Sequence, residues 1–292
     1  ITELYRNWLI QAICDLYYLD CEFTEKTSLM RVDSGICFKF FHPIAKEFQW
    51  EKLSLKHQPV DDFLKSQWQK DTNAFWWLFY RWGLAICFCI GVIGSLVEQF
   101  QAGKWFIYLT DWGFFLCMLT SIIGAILVST YHLKPQYFGI PWLSIYWVLH
   151  WSTLVVATLV TSIYWLFLYP NDTAGATALY NLWAHGFNTI LMIVDHMLVA
   201  FPTRLLHFVY PFCLLLVYGF FTIIYFFSGG VDLFGNRYVY PILNWSEPGW
   251  AVLTVFGCIV LVIMWCFILF GLYKLRCFIY RKTKHTMLTL KA

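Results

Sequence analysis

Residues 142–168 read WLSIYWVLHWSTLVVATLVTSIYWLFL, an apolar stretch that contains no Asp, Glu, Lys or Arg. About 20 apolar residues in a helix are enough to cross the hydrocarbon core of a bilayer. The same length criterion predicts six membrane-spanning helices, near residues 74–97, 105–131, 142–168, 179–201, 206–227 and 250–273. The sequence therefore predicts an all-α fold, a bundle of six transmembrane helices.

Charged residues are scarce and unevenly distributed along the chain. Only 13% of the 292 residues are charged, against roughly 25% in ordinary soluble proteins. Twenty of the 37 charged side chains lie in residues 1–73 and six lie from Lys274 onward, which leaves 11 for the 200 residues between them. This distribution excludes an ordinary soluble enzyme. It divides the chain into an uncertain N-terminal segment (1–37), a juxtamembrane region (38–73), a transmembrane domain (74–273) and a basic tail (274–292).

The basic tail sets the expected orientation. It contains six lysines and arginines and no acidic residue, and such segments are retained in the cytoplasm. With six spans, the N-terminal region then also lies in the cytoplasm. Two glycosylation-type triplets, which begin at Asn171 and Asn244, fall in loops on the opposite side, as this orientation requires. The sequence predicts an integral membrane protein with both termini cytoplasmic.

The fourth predicted span has one polar face, whereas a lipid-facing helix would be apolar all round. Residues of this face repeat at helical spacing, while the opposite face is Leu, Ile and Val. The face consists of His185, Asn188, Thr189, Met192, Asp195 and His196. Ionisable groups in a span usually face the bundle interior, so we expect these side chains to line a cavity that binds a lipid.

Thr110 in the second span and His185 in the fourth lie at similar depths on the outer side of the predicted bundle. With a rise of 1.5 Å per residue, both lie roughly 8–9 Å below the outer surface. A histidine base next to a hydroxyl is the arrangement that activates a nucleophile, so catalysis is one interpretation. The alternative is a hydrogen bond that simply holds two membrane helices together. Asp111, beside Thr110 in the span, marks the same part of the cavity.

A second polar layer is predicted in the cytoplasmic half of the bundle, from His150, Asp195 and His196. These residue types can bind zinc, but adjacent residues of a helix point about 100° apart, which makes joint ligation by Asp195 and His196 awkward. We therefore expect a buried, hydrogen-bonded Asp–His pair, and no metal or cofactor. Arg81, in the first span, is expected to extend its guanidinium to the lipid headgroups.

Short motifs in fixed order resemble the rolling stone family over about residues 38–275. They are Ser66-Gln67-Trp68, Tyr80-Arg81-Trp82, Tyr108-Leu109-Thr110-Asp111-Trp112, His185-Gly186-Phe187-Asn188, Tyr240-Pro241-Ile242-Leu243 and Trp245. The founding member of that family is implicated in myoblast fusion in flies. The resemblance implies a multi-pass plasma-membrane protein that works in cell–cell fusion or interaction.

A more distant similarity is to the androgen-induced membrane hydrolases, which cleave branched fatty-acid esters of hydroxy fatty acids. Their catalytic threonine corresponds to Thr110, and their histidine motif corresponds to residues 184–189. The catalytic histidine of that motif is replaced here by Asn188, whereas His185 matches the other histidine. Asparagine cannot act as a general base, so hydrolysis would require His185 to take over that role.

Three functional hypotheses follow for this chain. The first is a non-enzymatic plasma-membrane protein of cell–cell fusion or interaction, with a membrane lipid or a fatty-acid-derived ligand in its polar cavity and a membrane protein as a possible partner. The second is an intramembrane lipid-ester hydrolase with Thr110 as nucleophile and His185 as base. The third is a transporter or channel, against which the chain shows no obvious internal repeat. Nucleic acid is not expected as a partner, because the net charge is only +3.

Overall fold

The computed structural model of the protein describes residues 46–69, 74–133, 140–168 and 179–289, and the regular secondary structure in these ranges is helical, with no β-strand. The loop with Asn171 lies outside them, as do residues 1–45 and the last three residues of the tail. The α-helices are α1 (Phe75–Gln99), α2 (Leu109–Leu133), α3 (Ile140–Ile163), α4 (Leu179–Leu182), α5 (Asn188–Leu198), α6 (Val209–Phe227) and α7 (Pro248–Thr289). Two π-helical segments extend this set: Tyr164–Leu168 follows α3, and Trp183–Phe187 joins α4 to α5.

Five helices in the described ranges are long and apolar enough to cross a membrane. They span Phe75–Gln99, Leu109–Leu133, Pro141–Leu168, Leu205–Phe227 and Pro248–Lys284. Of the six spans predicted from the sequence, the fourth, 179–201, is not in this set. It is helical from α4 to the end of α5, but its polar residues lower its hydropathy. The chain is therefore an all-helical, multi-pass membrane protein with at least five helices suited to span the bilayer.

The last helix is longer than its apolar part. α7 runs without interruption from Pro248 to Thr289, and so continues into the segment that the sequence assigns to a basic tail. Its uncharged part ends at Tyr273, because Lys274 is the first charged residue of the helix. The tail is thus, over most of its length, a helical extension of the last span.

Small residues let α1, α2 and α3 pack closely against their neighbours. A Cβ atom added to Gly91 of α1 would lie 2.7 Å from Phe114 Cζ and 2.9 Å from Trp183 Cε2. On α2, a Cβ atom at Gly124 would lie 3.0 Å from the hydroxyl of Tyr146 on α3. Small residues are typical of contacts between membrane helices, because burying water-exposed apolar surface does not drive helices together inside lipid.

The chain divides into two compact units. The larger one consists of residues 56–200 and 208–266, and it contains every candidate site residue predicted from the sequence. In the smaller unit, Arg204 donates to the carbonyl oxygen of Ser54 over 2.6 Å, and Arg276 donates to that of Phe201 over 2.9 Å. The same unit has a small apolar core formed by Leu205, Phe270, Tyr273 and Cys277.

Within the larger unit, the segment before α1 packs against the end of α5. The Ser66 hydroxyl and the Gln67 N–H both donate to the carbonyl oxygen of Leu198, at 2.9 and 2.8 Å. The indole N–H of Trp68 donates to the carbonyl oxygen of Met197 over 2.9 Å. The last carbonyl groups of a helix have no hydrogen-bond donor inside the helix, and this segment supplies donors for them.

Candidate functional site

Thr110 and His185 lie next to each other, as the sequence predicts. Thr110 Oγ1 is 3.2 Å from His185 Nε2, and His185 Nδ1 is 2.9 Å from the carbonyl oxygen of Asn181. A carbonyl oxygen can only accept, so in the neutral ring Nδ1 carries the proton and Nε2 is the acceptor. The Thr110 hydroxyl therefore donates to His185 Nε2, which is the direction in which a base would withdraw its proton.

The π-helical segment Trp183–Phe187 holds His185 in this position. The ring of His185 stacks on Tyr164, with centroids 3.8 Å apart and planes inclined by 21°. The indole N–H of Trp165 donates to the backbone carbonyl of His185 over 2.8 Å. Asn181 Nδ2 donates to the phenol of Tyr164 over 2.8 Å and so fixes the stacking partner as well. Local π-helical geometry is frequent at functional sites, because it displaces side chains from the regular helical positions.

Two tyrosine phenols cap the start of α2. The Leu109 N–H donates to Tyr218 Oη over 3.1 Å, and the Thr110 N–H donates to Tyr240 Oη over 3.4 Å. Tyr218 Oη in turn donates to the carbonyl oxygen of Ile107 over 2.9 Å. The first N–H groups of a helix lack intrahelical acceptors, and these phenols supply them. Burial raises the pKa of Tyr240 to about 12, so its phenol keeps its proton at neutral pH.

A structured loop between α6 and α7 positions Tyr240. The carboxylate of Asp232 accepts from the N–H groups of Phe234 and Asn236, at 2.8 and 2.7 Å, and closes the loop on itself. Lys104, in the turn before α2, donates to the carbonyl oxygen of Asp232 over 2.8 Å. The loop and the start of α2 are thus connected, which keeps the Tyr240 phenol beside Thr110.

An apolar cavity of about 210 Å³ lies beside Thr110. Its walls come from α3 with the π segment after it, from α6, from α7, and from the loop residues just before α7. Thr110, Tyr218 and Tyr240 all line it, and their hydroxyl groups cluster around the start of α2. The rest of the lining is almost entirely hydrocarbon and aromatic side chains. His185 is not part of the lining and reaches the cavity through the Thr110 hydroxyl.

Asp111 follows Thr110 in the first turn of α2 and is buried. It is not among the residues that line the cavity. Asp111 is therefore close to the candidate site in sequence but contributes no wall to the cavity.

Asn188, Thr189 and Met192 lie deeper in the bundle, on the buried face of α5 that the helical spacing predicts. The Thr189 hydroxyl donates to the carbonyl oxygen of Ala157 over 2.8 Å, so the hydroxyl of Thr161, 2.7 Å away, must donate to it. Asn188 Oδ1 accepts from the N–H of Thr189, while Asn188 Nδ2 is buried without a hydrogen-bond partner. None of the three residues on α5 lines the cavity.

Asp195 is the centre of a buried polar cluster, which we name the Asp195 cluster: Tyr80, Arg81, His150 and Asp195. Arg81 Nη1 lies 2.9 and 3.1 Å from the two carboxylate oxygens, the Tyr80 hydroxyl donates over 3.1 Å, and His150 Nε2 lies 3.0 Å away. The buried Asp–His pair predicted from the sequence is confirmed by this contact between His150 and Asp195. The cluster ties α1, α3 and α5 together.

The interpretation of Arg81 as a side chain that extends to the headgroups is wrong. Arg81 is only 1% exposed, and its guanidinium lies 4.3 Å from the ring centroid of Trp77. A carboxylate and a π-face inside the bundle, close to the guanidinium, compensate for the loss of water. No local pattern signals this pairing, because Asp195 is 114 residues away from Arg81 along the chain.

His196, the remaining predicted site residue, is buried beside the Asp195 cluster rather than beside Thr110. Its ring centroid is 6.2 Å from that of His150 and 6.3 Å from that of Trp151. Within the described ranges, no group of three or more His, Cys, Asp or Glu residues could hold a metal ion.

The structure thus separates the nine predicted site residues into three groups, one of which is Asn188, Thr189 and Met192 on the buried face of α5. Thr110 and His185 meet at the apolar cavity, with Asp111 behind them, whereas His150, Asp195 and His196 meet elsewhere. Sequence reasoning missed the site roles of Tyr218 and Tyr240. Tyr240 belongs to one of the motifs quoted above, which is a signal for it, whereas Tyr218 is a single tyrosine in an apolar span without any local signal.

Comparisons with known proteins identify the family of the chain. The family model described as "Protein rolling stone" matches residues 35–287. A curated Drosophila melanogaster protein of the same name, "Protein rolling stone", is 38% identical over 251 residues, which are 81% of this chain and 91% of that protein. No solved structure matches the chain.

Proposed function

The chain belongs to the rolling stone family, and from this premise we propose that it acts at the plasma membrane in cell–cell fusion or interaction and holds a membrane lipid. The observation that carries the proposal is the apolar cavity beside Thr110. Ligand sites are typically apolar with a few well-placed polar groups, and the hydroxyls of Thr110 and Tyr240 provide those groups here. The role in fusion rests on the resemblance to a family whose founding member is implicated in myoblast fusion.

The proposed topology has six crossings and both termini in the cytoplasm. The helix from Leu179 to Leu198 would be the sixth, since 20 residues at 1.5 Å each reach about 30 Å, the thickness of the hydrocarbon core. Its polar residues support this placement, because they face the bundle interior while Ile190 and Val194 are exposed. An epitope tag after Ala292 should bind antibody only in permeabilised cells. Staining of intact cells would contradict this topology.

Cell–cell fusion can be tested with two populations of cells that express the full chain and carry complementary halves of a reporter. We expect the reporter signal to depend on the cavity and not on His185, which accepts the hydrogen bond of the Thr110 hydroxyl. Gly219 lines the cavity, and a Cβ atom added there meets nothing within 4 Å. Gly219→Leu should therefore fill the cavity and lower the signal at equal surface expression, whereas His185→Gln should leave it unchanged.

The matched control is Gly257→Leu on α7. An added Cβ atom at Gly257 also meets nothing within 4 Å, and Gly257 does not line the cavity. Equal fusion by the wild-type chain and Gly219→Leu would remove the cavity from the proposal. If His185→Gln or Thr110→Val alone abolished fusion, the non-enzymatic interpretation would have to be given up.

A second candidate function is lipid-ester hydrolysis, which the Thr110–His185 hydrogen bond favours. Thr110 Oγ1 would attack the ester carbonyl carbon while its proton passes to His185 Nε2. The same proton would then leave with the alcohol as the C–O bond breaks. Water, deprotonated by His185, would release the acid and restore the threonine. The attack requires the His185 tautomer with its proton on Nδ1, and the hydrogen bond to the carbonyl oxygen of Asn181 fixes that tautomer.

Hydrolysis predicts a covalent adduct at Thr110. A fluorophosphonate probe should label Thr110 in the detergent-solubilised full chain, and labelling should disappear in His185→Gln. Mapping of the labelled peptide distinguishes Thr110 from other hydroxyl groups. A chain with a cooperative thermal transition but no label at Thr110 would exclude this second function.

A further inference from the structure

The wall between the cavity and the outside is one helix thick. α6 and α7 line the cavity on one face, while Val217 and Phe256 on their other faces are more than half exposed. Such exposed apolar side chains on a membrane-spanning helix face lipid. Any ligand that reaches the cavity directly from the hydrocarbon of the bilayer would pass along these two helices.

Two residues of α6 mark where the cavity opens. Leu216 and Phe220 both line the cavity and are 41% and 63% exposed. They lie one helical turn apart, so they form a single edge along α6. Between them, Gly219 leaves space, since no atom lies within 4 Å of the Cβ that it lacks. The opening is therefore lateral and faces the bilayer.

The dimensions of the cavity fit one hydrocarbon chain. Its volume of about 210 Å³ lies below the range of about 300–1,000 Å³ that is usual for drug-sized ligands. It extends along α6 from Phe212 to Ile223, a distance of about 16 Å at 1.5 Å per residue. A space of this volume and length accommodates one hydrocarbon chain.

The hydroxyl cluster provides a place for an oxygen atom of the ligand. The proton of Tyr218 is directed to the carbonyl oxygen of Ile107, and that of Thr110 to His185. The Tyr240 phenol also contacts the hydroxyl groups of Tyr218 and Thr110, and its O–H is the one that can turn toward a ligand carbonyl at the lining. The phenol is protonated at neutral pH, as its raised pKa requires. The cavity thus combines a hydrocarbon channel with a hydrogen-bond donor for an acceptor oxygen.

We infer that the cavity is a site for a single-chain lipid, a fatty acid or a lysolipid, whose chain enters from the bilayer between α6 and α7 along Leu216 and Phe220. Its carbonyl oxygen accepts the hydrogen bond of Tyr240 beside Thr110. This inference rests on the proposed function, which requires a lipid in the cavity, and it specifies the class of lipid, the route of entry and the residue that receives the carbonyl.

The test is photolabelling of the full chain in phosphatidylcholine nanodiscs. The probe is a fatty acid with a diazirine in the middle of its chain, and labelled peptides are identified by mass spectrometry. We expect the label on α6 and α7 residues of the lining. Gly219→Leu should reduce this label at least tenfold, while Gly257→Leu should leave it within twofold of the wild-type chain.

Two further arms test the carbonyl contact and the ligand class. Tyr240→Phe should lower labelling by the fatty acid several-fold, with little change for a probe of the same length that ends in a methyl group. A diazirine phosphatidylcholine and a diazirine sterol should label the lining much less than the fatty acid. Thermal unfolding of each variant in detergent separates lost binding from lost folding.

Labelling by the sterol or by phosphatidylcholine alone would overturn the inference, as would fatty-acid label elsewhere on the chain or label unaffected by Gly219→Leu. The fusion assay keeps the two proposals apart. If Gly219→Leu abolishes the fatty-acid label but leaves fusion intact, the site stands and its role in fusion falls. If it abolishes fusion while the probe labels elsewhere, the proposed function stands and the single-chain site falls.

Discussion

The Asp195 cluster and the Thr110–His185 pair are both polar and both buried in the larger unit, but their surroundings differ. The Asp195 carboxylate is held by Arg81, His150 and Tyr80 together, with hydrocarbon and aromatic rings around them. The Thr110–His185 pair is a single hydrogen bond between a hydroxyl and an imidazole, and an apolar cavity lies beside Thr110.

Under the proposed function, this difference assigns a structural role to the Asp195 cluster and ligand binding to the Thr110–His185 pair. A buried carboxylate that already accepts from three side chains has little capacity left for a ligand, and its partners come from three helices. It therefore gives the transporter hypothesis no vacant ion site. The Thr110 hydroxyl borders an apolar cavity, so it can still accept a hydrogen bond from a ligand or attack one. Stability should depend on the first and ligand binding on the second.

The largest effect is expected when the ion pair loses one partner. Arg81→Met leaves the carboxylate of Asp195 buried without its cation, and breaking buried pairs in this way costs about 3–5 kcal/mol. We expect a strong loss of thermal stability in detergent and low expression. The measurement is the unfolding temperature of the purified chain, followed by differential scanning fluorimetry.

The matched control is the double variant Arg81→Met with Asp195→Leu. Because it removes both charges, it should recover a large part of the stability that the single variant loses. A double variant that is no more stable than Arg81→Met would show that the cluster is not held by its charges, and the comparison between the two polar places would then fail.

A smaller effect is expected at the glycine contact that supports the π segment. Gly91→Ala places a methyl group 2.7 Å from Phe114 and 2.9 Å from Trp183, so one ring must move, at a cost of about 1–3 kcal/mol. Because Trp183 begins the π segment, we also expect weaker fluorophosphonate or fatty-acid labelling at the cavity. Gly83→Ala, where the methyl group meets nothing within 4 Å, should change neither stability nor labelling.

Helical periodicity was sufficient to predict which residues between His185 and His196 belong to the buried face of their helix. The spacing from His185 to His196 correctly placed Asn188, Thr189, Met192 and Asp195 on a buried face, because a 3.6-residue period depends only on local sequence. Apolar length alone likewise indicated the multi-pass helical fold, with five of six predicted spans present as long apolar helices.

Contacts between distant segments could not be read from the sequence in the same way. Arg81 meets Asp195 across 114 residues, and Tyr240 meets Thr110 across 130. The cavity itself depends on how α6 and α7 pack against α3, and no local pattern encodes the shape of a space between helices. Polar residues suggested a polar cavity, whereas the structure has an apolar one with hydroxyl groups on one side.

The Thr110–His185 pair should contribute little to stability. Hydrogen bonds between membrane helices average about 0.6 kcal/mol, so Thr110→Val should shift the unfolding temperature only slightly. The same variant removes the hydroxyl that a fluorophosphonate would label and should abolish that signal if hydrolysis takes place. A large loss of stability in Thr110→Val would instead assign this pair a structural role like that of the Asp195 cluster.

The smallest effect on stability is expected at Asn188. Its Oδ1 accepts only from the neighbouring N–H of Thr189, and its Nδ2 is buried without a partner, so the side chain contributes little that leucine would not replace. Burying an unpaired donor is costly, and Asn188→Leu should therefore leave the unfolding temperature unchanged or raise it. Fatty-acid labelling decides what the amide is for. If Asn188→Leu keeps the label, the Tyr240 phenol suffices to hold the ligand carbonyl. A label lost in Asn188→Leu but kept in Tyr240→Phe would place the carbonyl deeper in the bundle, at the amide.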